Sequence, residues 1–106
     1  MTFQQENLFG GNGIVEIESR LKEGSFPFSA ILLCKLEACG SIGKHRQQRD
    51  SELVIGISGQ GMITINSKTE ELIVKTSVFV PFGAVLSIEN KSETEPLEYW
   101  IIKVEG

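Results

Sequence analysis

The chain has 106 residues, 41% of them hydrophobic and 23% charged, and its formal net charge is −4 at pH 7. This length is enough for one hydrophobic core, so we expect a single domain over residues 1–106, and the composition is that of a globular protein. The acidic balance argues against nucleic acid as a partner, because phosphate backbones are bound by clustered Lys and Arg.

The first residues carry no targeting or membrane signal. Residues 1–13 are polar and Gly-rich, without a cationic start or an apolar run. The sequence therefore predicts a cytoplasmic protein with no membrane partner. The two cysteines, Cys34 and Cys39, are too few for a disulfide framework, and we expect both to be free thiols.

Short β-branched runs separated by Gly, Asn, Ser and Pro follow one another along the chain, and no stretch has the spacing of an amphipathic helix. They predict an all-β fold with strands at 14–21, 28–37, 41–47, 52–58, 62–66, 71–74, 78–80, 85–89 and 97–104. The turn residues at 58–61 and 66–69 predict two adjacent hairpins. So many short strands hide their apolar faces and edges only in a sandwich or a closed barrel.

The first and last of these strands have different patterns. Residues 14–21 alternate between apolar and polar side chains, so one face of this strand meets water. Residues 97–104 are apolar on both faces, which predicts a central strand or one buried at a subunit interface. Tyr99 and Trp100 lie on opposite faces of this strand, so one of them can line an interior cavity while the other packs outside.

Two motifs with defined spacing lie between residues 39 and 90. The first has His45, Gln47 and Glu52 followed, after six residues, by Gly59. It resembles the first motif of the cupin superfamily, in which a His-x-His pair is followed by Glu and then by Gly. The second runs from Pro81 through Gly83, Leu86 and Asn90, and it is similar to the family's Pro-x-Gly-x-x-His-x-x-x-Asn.

This resemblance implies a single-domain cupin, a double-stranded β-helix or jelly-roll barrel. In the family, three histidines and the glutamate hold a metal ion inside the barrel. Here His45 is the only histidine in the chain, and Gln47 and Leu86 occupy the other two histidine positions. Residues two apart on a strand share a face, so 45 and 47 should both point inward.

We therefore predict a metal-free site that binds a small molecule in the barrel. The ligand-binding residues on this interpretation are His45, Gln47, Glu52, Val54, Leu86 and Tyr99. The same polar residues are also compatible with a closed hydrogen-bond network that has no ligand.

Three alternatives remain at this point. A divergent metal-dependent isomerase or oxygenase would use His45, Gln47 and Glu52 as ligands to a divalent ion, with water or substrate completing the shell. Catalysis without a metal would use His45 and Glu52 as an acid–base pair. A docking role would rest on a homodimer, which the resemblance to small cupins also implies, with residues 1–21 as the candidate contact.

Overall fold

Ten β-strands form two antiparallel sheets in the computed structural model, which describes residues 1–105. The strands are β1 Thr2–Glu6, β2 Ile14–Ser19, β3 Phe28–Leu36, β4 Ser41–Arg46, β5 Ser51–Ser58, β6 Gln60–Ile65, β7 Lys68–Ile73, β8 Ser77–Val80, β9 Val85–Asn90 and β10 Leu97–Val104. The helical structure within residues 1–105 is a three-residue 3₁₀ turn at Leu8–Gly10. The predicted all-β class is confirmed.

The nine predicted strands all form, with ends within three residues of their predicted positions. β1 was not predicted, because it is exposed at every position and buries no face. It is held by main-chain pairing with β2, from Thr2 opposite Glu18 to Glu6 opposite Ile14. A strand of this kind leaves no apolar alternation in the sequence.

The two sheets face each other as the walls of a flattened barrel. The six-stranded sheet has the order β1-β2-β3-β10-β5-β8, and the four-stranded sheet has the order β4-β9-β6-β7. The inward residues of both sheets form one hydrophobic core that contains Leu36, Ile63, Leu72 and Leu97, each 0% exposed. β10 lies between β3 and β5, which confirms the prediction that it is a central strand.

One of the two predicted hairpins is wrong. Asn66 and Ser67, with φ of 49° and 73°, turn the chain between β6 and β7 as expected. At 58–61, however, the chain leaves the six-stranded sheet and enters the four-stranded one, so β5 and β6 do not pair. Gly59 has a φ of 94°, and a side chain there would overlap the carbonyl oxygen of Pro96. Positive φ therefore marked a crossing between sheets as well as a hairpin.

Lys75, in the turn between β7 and β8, has a φ of 71°. Its backbone therefore adopts the left-handed conformation that only glycine adopts without strain. Within residues 1–105, no helix has the length and hydrophobicity needed to cross a membrane.

Candidate functional site

A cavity of about 820 Å³ opens between the two sheets at one end of the barrel. Five of the six side chains predicted to bind a ligand line it, and they come from both sheets. They are His45 on β4, Gln47 just after it, Leu86 on β9, Glu52 on β5 and Tyr99 on β10. The four motif residues among them and Tyr99 therefore lie around one space, and their binding of a ligand stays a prediction.

Val54 is the exception, and its placement in the ligand site is corrected. It shares the inward face of β5 with Glu52, but it is 0% exposed and lies deeper, in the packed core rather than on the cavity wall. Its neighbours across the sheet are Val78 and Ile101. Strand alternation correctly predicted that Val54 points inward. Its position along the barrel, in the core or at the cavity, depends on the packing of the other strands.

His45 is held in one orientation at the cavity wall. Its Nδ1 lies 3.0 Å from the carbonyl oxygen of Gly43 and donates to it, which leaves Nε2 as an acceptor. The ring stacks on Phe9, with centroids 3.9 Å apart and planes inclined by 16°. Burial lowers the pKa of His45, and the bond to Gly43 opposes this only in part. The imidazole is therefore neutral near pH 7.

Phe9 reaches His45 because the 3₁₀ turn docks tightly on β4. A side chain at Gly43 would overlap the carbonyl oxygen of Phe9, so this contact requires glycine. Phe9 itself has the left-handed φ and ψ of 54° and 33°, a costly conformation for an aromatic residue. Sequence reasoning missed Phe9, since the Gly-rich segment around it has no strand or helix pattern.

Glu52 is a buried carboxyl group beside a half-buried amine. It is 3% exposed, and burial raises its pKa, while the positive charge of Lys103 acts in the opposite direction. Lys103 lines the same cavity from β10. The sequence did carry a signal for Lys103, because it lies four residues from Tyr99 and so shares the inward face.

The two other titratable groups of the interior stay protonated. Burial, followed by the negative charge of Glu52, raises the pKa of Cys34 to about 12. Burial also raises the pKa of Tyr99 well above its usual value of 10.0. Cys34 is therefore an inert buried thiol, as expected, and Cys39 is an exposed free thiol in a turn.

Gln47 joins the two motifs through its backbone. Its N–H donates to the carbonyl oxygen of Ala84 at 2.8 Å, and its own carbonyl accepts from the N–H of Gly83 at 2.8 Å. Its side chain is 5% exposed and lines the cavity. The Pro-x-Gly turn therefore fixes the end of β4 and, with it, the wall of the cavity.

Asn90, the last residue of the second motif, has a structural role. It is 4% exposed, and its Nδ2 lies 2.9 Å from the carbonyl oxygen of Glu95, 3.0 Å from that of Glu37 and 3.2 Å from that of Leu36. These bonds tie the end of β9 to the end of β3. Asn90 does not line the cavity.

The residues around the cavity do not make an ordinary cupin metal centre. Among residues 1–105, no three His, Cys, Asp or Glu side chains lie close enough together to share an ion. At the two motif positions where the resemblance would place histidines, the chain has the amide of Gln47 and the hydrocarbon of Leu86, which pairs with His45 across β4 and β9. Zinc and iron centres in proteins normally have three strong protein ligands.

Charged side chains surround the cavity mouth. Arg46, Arg49, Asp50 and Glu105 all line it, and Arg46 donates to the carbonyl oxygen of Gly83 at 2.6 Å. Two basic and two acidic side chains therefore lie together along this part of the cavity wall.

Comparison of the coordinates with solved structures finds proteins of the same fold. A predicted oxalate decarboxylase from Thermotoga maritima superposes with a TM-score of 0.91 over 100% of this chain and 93% of its own, at 23% identity. The cupin domain of Cnp3 from Schizosaccharomyces pombe gives a TM-score of 0.79 over 98% of this chain and 69% of its own, at 17% identity. A Cupin 2 conserved barrel domain protein from Salinispora arenicola gives 0.74 over 87% and 76%, at 15% identity.

Comparison of the sequence with known proteins finds only partial matches. No protein-family model matches the chain. It is similar to elongation factor Ts of Corynebacterium jeikeium (strain K411), with 30% identity over 101 residues that cover 91% of this chain and 36% of that protein. For the same factor from Corynebacterium glutamicum (strain R), the identity is 28% over 75 residues, or 70% of this chain and 27% of that protein. The chain thus spans only 27% to 36% of these relatives.

The structural likeness confirms what the two motifs predicted. The two sheets superpose on those of cupin proteins over most of the chain, at sequence identities of 15% to 23%. This chain is a cupin-type β-barrel.

Proposed function

We propose that this chain is a binding module that holds a small molecule in the open end of its barrel. The observation that carries the proposal is the cavity of about 820 Å³, which has an apolar wall and a few convergent polar groups. Small-molecule sites typically have volumes of ~300–1,000 Å³ and this division of surface. An interior filled by side chains would not support such a role.

The wall of the cavity indicates the kind of ligand. Its apolar part comes from both sheets and includes Ile17, Leu32, Ile42, Leu86 and Ile88. The polar groups are His45, Gln47, Glu52 and Lys103. A matching ligand has an apolar body and one polar end that forms hydrogen bonds with these groups.

The groups at the polar end are chemically distinct. The free Nε2 of His45 accepts a hydrogen bond, the amide of Gln47 both donates and accepts, and Lys103 donates. Glu52 and Lys103 lie opposite each other on β5 and β10, so an acidic and a basic group share this end of the cavity. These groups favour a hydroxyl, amide or single carboxylate on the ligand over a highly charged one.

Native mass spectrometry of protein purified without denaturation tests the proposal. We expect a bound small molecule, or binding from a panel of aliphatic and aromatic acids and amides. Ala30 lines the cavity, so Ala30→Trp should narrow it and weaken the binding of the adduct. Thr64→Trp, on the four-stranded sheet and outside the cavity, is the matched control and should retain it. Wild-type protein without an adduct under any of these conditions would refute the proposal.

The metal-dependent alternative, with an isomerase or oxygenase activity, needs His45, Gln47 and Glu52 to act as ligands. With one imidazole, one carboxylate and one amide, the donor set favours metal-free binding. Elemental analysis after incubation with Mn²⁺, Fe²⁺ and Zn²⁺ separates the two functions. A full equivalent of metal that Glu52→Gln removes would favour the enzyme.

Metal-free acid–base catalysis by His45 and Glu52 makes a smaller demand on the site, since both groups already line the cavity. No substrate position is defined for this reaction, so the cavity favours binding without turnover. A cytoplasmic location and the exclusion of nucleic acid also stay predictions, the second supported by the net charge of −4.

A further inference from the structure

Four exposed phenylalanine side chains surround the open end of the barrel, and we call them the aromatic rim. Phe26 and Phe82 lie in turns and are 80% and 59% exposed. Phe28 begins β3 and is also exposed. Phe9, likewise exposed, reaches the cavity from the 3₁₀ turn. Exposed apolar side chains that cluster, unlike scattered ones, indicate an interaction surface.

Backbone contacts place three members of the rim along one edge of the cavity mouth. Phe28 on β3 pairs with Val104 on β10, and Val104 pairs with Ser51 on β5. The N–H of Phe82 donates to the Oγ of Ser51 at 3.3 Å. Phe26 precedes Phe28 by two residues. Because neighbouring strands lie ~4.8 Å apart, the row from Phe28 to Phe82 is ~14 Å wide.

The packed end of the barrel has no comparable surface among the described residues. Its turns lie at residues 37–40, 74–76 and 91–96. Val74 is the one large apolar side chain in these three turns that is exposed. The exposed phenylalanines of the rim therefore accompany the cavity mouth and are not a general feature of the turns. This distribution indicates that the open end contacts an apolar partner.

The charges at the open end complement an anionic partner. The segments 20–27, 46–50, 66–68 and 81–84, together with Glu105 after β10, have an excess of two positive charges. The turns at the packed end have an excess of one negative charge, and the whole chain has a net charge of −4. Anionic lipid headgroups attract basic side chains near their surface. The charged residues at the open end are Arg20, Lys22, Arg46, Arg49 and Lys68, against Glu23, Asp50 and Glu105.

We propose that the aromatic rim docks the open end of the barrel on an anionic lipid bilayer, from which an amphiphilic ligand enters the cavity. Phenylalanines inserted at the interface and basic groups among the headgroups are the two contributions to binding at a membrane surface. A ligand with an apolar body and one polar end itself partitions into a bilayer. At a docked mouth it passes from lipid to the cavity without crossing water.

The docking rests on the rim and its charges, and only the entry of the ligand rests on the proposed function. The sequence had predicted no membrane partner, because residues 1–13 contain no apolar run. Docking at the surface needs no such run, since it uses side chains in separate turns that the fold brings together.

Flotation of the full chain with vesicles of phosphatidylcholine, alone or mixed with phosphatidylglycerol, tests the docking. We expect stronger binding to the mixed vesicles, and weaker binding as the salt concentration rises, because salt screens exposed charges. Phe26→Ser and Phe82→Ser should each weaken the binding about tenfold, since each removes one inserted side chain. Both residues are mostly exposed, so both variants should fold, which circular dichroism checks.

Val74→Ser is the matched control, because Val74 is 56% exposed beside a turn but lies at the packed end. It should bind the mixed vesicles as tightly as the wild type. Wild-type protein that floats with neither kind of vesicle would overturn the proposal, and the rim would then belong to a protein contact. Folded Phe26→Ser and Phe82→Ser that both bind like the wild type would overturn it as well.

A failure of docking can be distinguished from a failure of ligand binding. Ala30→Trp narrows the cavity and leaves the rim unchanged, so it should bind vesicles like the wild type while native mass spectrometry shows less adduct. Phe82 does not line the cavity, so Phe82→Ser should retain the adduct and lose vesicle binding. Vesicle binding by a wild type that never carries an adduct would support the docking and refute the proposed function alone.

Discussion

The two ends of the barrel use the same strands for opposite purposes. On β5, Glu52 faces the open end and Val54, two residues further, lies in the packed core. On β10, Lys103 lines the cavity while Leu97 is 0% exposed. All four side chains point inward. The difference between core and site is therefore a matter of depth along the strand, not of the face that a residue occupies.

The two ends of the barrel also differ in what they contribute to the free energy of folding. The packed end buries branched hydrocarbons, which stabilise the fold by ~1.5–3 kcal/mol each. The open end buries a carboxyl group and an imidazole, whose desolvation opposes folding. A barrel shaped only by stability would have apolar residues there, so the polar groups point to a function.

The largest effect should come from the packed end. Leu97→Ala removes a side chain that is 0% exposed, and we expect it to lower the free energy of unfolding by ~2–5 kcal/mol. Ile101→Ala lies on the same face of β10 but borders the cavity, so a smaller loss, near the lower limit of ~2 kcal/mol, is expected. Urea unfolding measures both. Equal losses would mean that the open end is packed like the core.

A smaller effect with a definite pH dependence is expected at Glu52. The pKa of Glu52 is higher in the folded protein than its unfolded value of 4.5. The contribution of this group to the free energy of unfolding is therefore fully present below pH 4.5 and is lost as the pH rises through the folded pKa. Glu52→Gln should therefore raise the melting temperature relative to wild type at pH 8, and the gain should shrink toward pH 4. Glu70→Gln, on the exposed part of β7, is the control. A gain that grew on acidification would contradict the assignment.

Much of this architecture could be predicted from the sequence, because turn residues and β-branched runs act locally. The inward direction of His45 and Gln47 followed from alternation alone. Other features depend on what distant segments do. Phe9 meets His45 only because the 3₁₀ turn docks on Gly43, and β1 is held by main-chain bonds that any sequence can form. Gly59 showed where the chain turns, but not which sheet it enters.

The smallest effect concerns the proton of His45. Burial lowers its pKa below the usual 6.5, so in NMR spectra the ring should titrate at a lower pH than a free histidine. Removing the stacked ring with Phe9→Ala should expose the imidazole and move the midpoint back toward 6.5. Because the folded pKa of His45 lies below 6.5, its contribution to the free energy of unfolding is fully present above pH 6.5 and is lost as the pH falls through that folded pKa. A midpoint above 6.5 in the wild type would mean that the ring is not desolvated.

An electron-density map of natively purified protein, at a resolution that separates water from organic molecules, tests the central claim most directly. Binding in the open end predicts continuous non-protein density among His45, Gln47, Glu52 and Lys103, with its apolar part against Leu86. A cavity closed by rearranged side chains, or one that holds only separate waters after soaking with the acids and amides that the native spectra test, would contradict it.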